Sequence, residues 1–121
     1  MEVLRGDIIY CYLHENTSQG SVQKGRRPVV IVQNDVGNKH SPTTIVSPIT
    51  SKGRRKRGLP THVPISSRDI HNLTENFNND SIILFEQIIT VDKRNLKEKV
   101  GSIDLDKKRY KKALAISIAL E

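Results

Sequence analysis

The residues best placed for chemistry are cations. Lys24-Gly25-Arg26-Arg27-Pro28 stands where a polar segment runs into the apolar stretch Pro28–Gln33 (PVVIVQ). An arginine anchored at such a junction is held by rigid structure, and its planar fork makes paired hydrogen bonds to phosphate oxygens. A second run, Lys52-Gly53-Arg54-Arg55-Lys56-Arg57, sets five positive charges in six residues. It would steer a polyanion and touch phosphates without reading sequence. Other chemistries find less support. Cys11-x-x-His14 is half of a zinc pattern with no second pair at the right spacing. No HExxH and no carboxylate cluster suited to a hard cation occurs, so neither metal nor cofactor is expected. An imidazole pair could work as acid and base. Nothing in the spacing brings two of His14, His40, His62 and His71 together, and each reads as a surface or turn residue. Cys11 lies in an apolar strand and reads as a packed thiol.

The bulk properties agree with a polyanion as partner. The chain has 121 residues, 20 Lys and Arg against 13 Asp and Glu, a formal charge of +7 and a pI near 9.8. A charge balance of this kind bears on partners rather than on fold, and nucleic acid comes first. Aromatic residues make up only 4%, thin for a binder that works by stacking bases. The length suits one domain over residues 1–121, large enough to bury a core without disulfides. One cysteine excludes an intrachain disulfide and fits a reducing compartment. Met1–Asp7 lacks the layout of a signal peptide, and no apolar run approaches a membrane span of ~20 residues, so a cytoplasmic protein without a membrane partner is expected.

Short strands must position these residues. Asp7–Leu13, Pro28–Gln33, Thr43–Thr50 and Thr61–Ile65 are β-branched or apolar runs too short for typical helices. Pro48 marks an edge or a bulge. His14–Lys24 and Ser51–Gly58 read as loops, Asn34–Asn38 as a turn, and residues 66–80 as polar and irregular. Ser81–Val91 is the most apolar stretch, yet Glu86 and Gln87 sit in its middle, which implies a bulge or bend between two strands. Gln87 is a candidate contact to a base. Glu86 could contact a base, brace Arg27 or form an ion pair with a barrel Lys or Arg. After Asp104, a plausible N-cap, Tyr110, Leu114 and Ile118 recur every fourth residue with lysines on the opposite face, the pattern of one amphipathic helix with those three in a core. A mainly β fold follows: a small, bent, partly open barrel of short antiparallel strands packed on a C-terminal helix.

Taken in order, these segments resemble the MazF/PemK family of toxins over nearly the whole chain. The resemblance rests on Arg5-Gly6-Asp7-Ile8, the Gly25–Asp35 block (G-x-R-P, an apolar run, then Gln-Asn-Asp), Ser41–Thr50, Leu59–Val63 and Ser81–Asp92. It implies an SH3-like barrel, a homodimer, and metal-independent, sequence-specific cleavage of single-stranded RNA, neutralised by a cognate antitoxin. The family's catalytic arginine falls on Arg27 and its catalytic threonine on Thr50. The first long loop, with Ser18, Gln19 and Gly20, would gate the RNA groove and meet the antitoxin. The loop Lys52–Arg57 is more basic than its counterpart usually is, so the preferred RNA sequence does not carry over. Two other readings remain at this stage: a non-catalytic nucleic-acid binder of the same fold, and a gyrase poison of the CcdB type, which would need neither Arg27 nor Thr50.

Overall fold

A computed structural model of the chain describes residues 2–13, 25–51 and 58–120. Among these, seven strands and two helices follow in the order β1 (Asp7–Leu13), β2 (Gly25–Ile31), α1 (Asp35–His40), β3 (Thr43–Ser51), β4 (His62–Ile65), β5 (Ser81–Leu84), β6 (Ile89–Asp92), β7 (Leu96–Ser102) and α2 (Lys108–Ser117). All strand pairs are antiparallel, in the order β4-β5-β3-β2-β1-β7, with β6 also on β3. The mainly β architecture with a C-terminal helix is therefore as expected.

Both faces of the sheet are covered, which explains why PVVIV is continuous rather than alternating. On one face Ile8, Val30, Ile49, Ile83, Phe85 and Val100 pack with Tyr110 and Ala113 of α2. On the other Ile9, Cys11, Val29, Ile31 and Val46 pack with Val3, Val91 and Leu96. A strand buried on both sides has no solvent face to fill with polar residues. Cys11 is fully buried, as its apolar neighbours imply; burial pushes its thiol up to about 11, against a smaller lowering by Lys97.

The bend at Glu86-Gln87 takes a definite form. From Ile49↔Ile83 to Val46↔Ile89, β3 advances three residues while its partner advances six. The extra residues lie in the Phe85–Ile88 segment, which leaves the ladder as a bulge and splits one long strand into β5 and β6. Gln87 N–H closes it by donating to Leu84 O at 3.1 Å.

Much of the family-like sequence serves this scaffold. Gly6 holds φ +95°, and a Cβ there would stand 2.3 Å from Ile103 O. The buried Asp7 carboxylate accepts from Leu4 N–H at 2.9 Å and faces Lys99 Nζ at 3.0 Å. Gln33-Asn34-Asp35 works as a knot: Asn34 Oδ1 caps α1 by accepting from Gly37 N–H at 2.8 Å, and buried Asn38 receives bonds from Gln33 and Thr44 at 3.1 and 2.7 Å.

Several expectations need correction. Residues 34–38, read as a turn, open the short helix α1, because the Asn34 cap outweighs a glycine inside it. β7 has no counterpart in the sequence reading: Lys97–Lys99 are all exposed, so LKEKVGS shows no clear alternation. Pro48 sits in a central strand rather than at an edge, but opposite the Phe85–Ile88 bulge, where the ladder of β3 is interrupted, so the bulge reading of this proline stands. Asp104 does not cap α2. The helix begins three residues later, after Lys107, and Asp104 instead organises the preceding turn by accepting from Asp106 N–H at 3.0 Å. Tyr110 is in the core and Leu114 packs against it, but Ile118 lies just past the helix and is 51% exposed.

Candidate active-site cleft

Arg27 and Thr50 come together through strand register. Val29 of β2 faces Pro48 of β3. Two residues further along each strand, beyond the last paired positions, Arg27 and Thr50 occupy corresponding places on the same face. There β2 and β3 part, and a cleft of about 260 Å³ opens. Arg27, Pro28, Thr50 and Ser51 line it together with Asn76, Phe77 and Asn78, and Tyr10 and Ser81 also contribute.

The two adjacent arginines have different surroundings. Arg26 is ion-paired with Glu98 and lies 4.1 Å above the Tyr10 ring, so its charge is committed on the sheet. Arg27, half-buried, lines the cleft. Thr50 is only 3% exposed, and its Oγ1 is fully buried with no hydrogen-bond partner among the described residues. Leaving a hydroxyl in that state costs about 1–3 kcal/mol. Thr50 itself lines the polar cleft, so a small side-chain movement would offer this hydroxyl to an incoming oxygen. A guanidinium and a hydroxyl on one face can hold the non-bridging oxygens of a phosphodiester.

Other sequence candidates fall elsewhere. Ser18, Gln19, Gly20, Lys52, Arg54, Arg55, Lys56 and Arg57 lie outside the described residues. Gln87 is on the bulge and does not line the cleft. Glu86, also on the bulge, pairs with neither an arginine nor a lysine among the described residues: its carboxylate accepts from Thr61 Oγ1 at 3.0 Å and from His62 Nε2 at 2.9 Å. Burial pushes the Glu86 carboxyl up, but bonds from His62, its own backbone N–H and Thr61 outweigh this and hold it below the usual 4.5. His62 is therefore not a surface residue; its side chain is 4% exposed and locks β4 to the bulge. His40 and His71 are exposed and stand apart from it. Among the described residues no three His, Cys, Asp or Glu side chains group to hold a metal ion.

Asn76 and Asn78 were not among the sequence candidates. The only trace was an Asn-rich stretch read as irregular, and it reaches the cleft because Ser81, at the start of β5, pairs with Ser51 at the end of β3.

A bent antiparallel sheet with one terminal helix and a cleft that holds an arginine narrows the class, and sequence comparison settles it. The chain belongs to the PemK-like, MazF-like toxins of type II toxin–antitoxin systems, whose family profile matches residues 4–117. Among curated relatives it resembles Endoribonuclease EndoA of Bacillus subtilis (strain 168), with 43% identity over 123 residues, covering 99% of this chain and 97% of that protein. Solved structures share the fold. An endoribonuclease from a mycobacterial species aligns with a TM-score of 0.72 at 21% identity, over 98% of this chain and 93% of the other. MazF from Deinococcus radiodurans gives 0.71 at 18%, over 98% of each chain. A mycobacterial endoribonuclease in complex with its cognate antitoxin gives 0.69 at 22%, over 98% and 97%.

Proposed function

We propose that this chain is the toxin of a type II pair and an endoribonuclease on single-stranded RNA, with Arg27 and Thr50 as its catalytic residues. The observation that carries the assignment of residues is the buried Thr50 Oγ1, without a partner among the described residues, on a residue that lines the same cleft as Arg27. The reaction is supported by the likeness to Endoribonuclease EndoA over nearly the full length of both chains.

In this reading the RNA supplies its own nucleophile and no metal takes part. The 2′-hydroxyl attacks the adjacent phosphorus, the bond to the 5′-oxygen of the next nucleotide breaks, and the products carry 2′,3′-cyclic phosphate and 5′-hydroxyl ends. Charge gathers on the non-bridging oxygens as the pentacoordinate transition state forms. Arg27 directs its donors at those oxygens, and Thr50 Oγ1 donates to the same phosphate and fixes the in-line geometry. Strand register sets the positions of both residues; Thr50 Oγ1, which solvent does not reach in this structure, is uncovered as the RNA phosphate enters. No carboxylate or imidazole lines the cleft among the described residues, and a guanidinium is a poor proton acceptor. Three routes are open to the proton of the 2′-hydroxyl and to the one returned to the leaving oxygen: solvent water, Arg27 in an unusual environment, or a residue outside the described ones.

The segments Ser18–Gly20 and Lys52–Arg57 add phosphate contacts along the strand, and Gln87 touches a base further from the cut. The working unit is a homodimer, consistent with exposed large apolar side chains such as Leu59, Ile88 and Ile118. A cognate antitoxin neutralises it, as a mycobacterial relative's complex suggests. No helix among the described residues is long and apolar enough to cross a membrane; we assign the protein to the cytoplasm, as one domain over residues 1–121. The test is incubation of a long single-stranded RNA with the protein and with Arg27→Ala in excess EDTA. Discrete cuts with cyclic-phosphate ends, lost in the variant, are expected; RNA bound but left intact would make the protein a binder instead.

A further inference from the structure

Asn76, Phe77 and Asn78 line the same cleft as Arg27 and Thr50. Phe77 is half-buried against the core, so this segment is pinned by an aromatic anchor. The two asparagines on either side of it are exposed. Asn78 is further constrained: its side-chain oxygen accepts from Asp80 N–H at 2.8 Å, and its backbone carbonyl accepts from Ser81 Oγ at 2.5 Å. A backbone N–H can only donate, so the atom facing it must be the amide oxygen. The orientation of the amide is thereby fixed: the oxygen is turned to Asp80 N–H and the NH₂ away from it, so a ligand on that side meets a donor.

Taking the cleft to hold the scissile phosphate, as proposed above, we infer that Asn78 is a specificity residue that reads the base beside that phosphate, selecting a keto oxygen and rejecting an exocyclic amine. Uracil and guanine present a keto oxygen on the pairing edge of an unstacked base, where cytosine and adenine present an amino group. A donor aimed at a keto oxygen makes a hydrogen bond. The same donor aimed at an amine leaves two desolvated donors facing each other, and this mismatch discriminates more strongly than a merely missing bond. Pre-organisation by the Asp80 bond means that the amide does not flip to suit the wrong base. A roughly tenfold preference for U and G over C and A at one position follows.

The decisive substitution is Asn78→Asp. One carboxylate oxygen keeps the Asp80 N–H bond, and the other replaces the NH₂, turning a donor into an acceptor in the same place. A single-stranded RNA pool randomised at every position is cut by the wild type, Asn78→Asp and Asn78→Ala, and the bases around each cut are counted. The quantity read is the ratio between bases at each position, since the new charge also slows cleavage of every RNA. The expected result is a keto preference at one position next to the cut, reversed to C and A in Asn78→Asp and flattened in Asn78→Ala, with other positions unchanged. Identical base profiles in all three proteins, or a uniform fall in rate without a change of profile, would overturn the inference. The same pool is also selected for binding to Arg27→Ala proteins carrying each Asn78 variant. If no RNA is cut by the wild type, the ribonuclease reading fails, and the bound sequences still decide whether Asn78 reads a base.

Discussion

Thr50→Val separates the catalytic use of the hydroxyl from its structural cost. Valine keeps the β-branched shape that suits a strand and replaces only Oγ1 with a methyl group. Because Oγ1 is buried and has no partner among the described residues, removing it relieves a desolvation penalty of about 1–3 kcal/mol rather than breaking a bond. Each kcal/mol corresponds to about 4 °C in Tm for a domain of this size, so the variant should melt roughly 4–12 °C higher. Cleavage should move the other way: loss of one preorganised donor to the transition-state oxygens costs about 10²–10³ in kcat. Ser47→Ala is the control, since Ser47 Oγ is likewise buried and unpartnered but does not line the cleft; it should raise Tm without changing the rate. The assay pairs thermal unfolding with single-turnover cleavage of one RNA. A fall in the Tm of Thr50→Val by several degrees would show that the hydroxyl has a structural partner. Unchanged cleavage would remove Thr50 from the chemistry. Either result refutes the reasoning that the cost in stability is retained for function.

Other perturbations test the scaffold. Gly6→Ala should cost about 3 kcal/mol or more, because it combines a positive φ with a Cβ placed 2.3 Å from Ile103 O; chemical denaturation measures it. Cys11 should resist alkylation at pH 8 in the folded protein and react at once in denaturant, since its thiol is buried and pushed up to about 11; mass spectrometry counts the adducts. Glu86 gives a pH signature. Its folded-state carboxyl sits below the ordinary 4.5, so it contributes stability above that value and loses it as pH falls through the lower folded-state value. Glu86→Gln should therefore flatten the acid limb of the stability profile, read from unfolding midpoints between about pH 3 and 6.

The sequence exposed the fold and half of the cleft, and the reasons differ residue by residue. Arg27 was legible because an arginine before a proline at the mouth of an apolar strand has a rigid anchor. Thr50 was legible only through the family resemblance, since a threonine at a strand end is otherwise unremarkable. What no local pattern contained was the register that carries Thr50 opposite Arg27 and brings residues 76–78, some 26 positions away, to the same cleft. His62 illustrates the same limit. Read alone it was a surface residue, and only the bulge at Phe85–Ile88 delivers Glu86 to it and buries it. The bulge itself was readable, because Glu86 and Gln87 interrupt an apolar run. β7 was not, because three exposed charged residues in succession hide the alternation that marks a strand.

The most direct test of 2′-hydroxyl attack in the Arg27–Thr50 cleft replaces one atom of the substrate. After a cut site is mapped, the same single-stranded oligonucleotide is made with 2′-deoxyribose at the nucleotide on the 5′ side of the cleaved phosphate, and incubated with the wild-type protein in EDTA. The expected result is complete loss of cleavage at that bond, with binding to the oligonucleotide retained. Continued cleavage there would mean that the nucleophile comes from water or from the protein, and would contradict the assignment of Arg27 and Thr50 as groups that align the RNA's own hydroxyl.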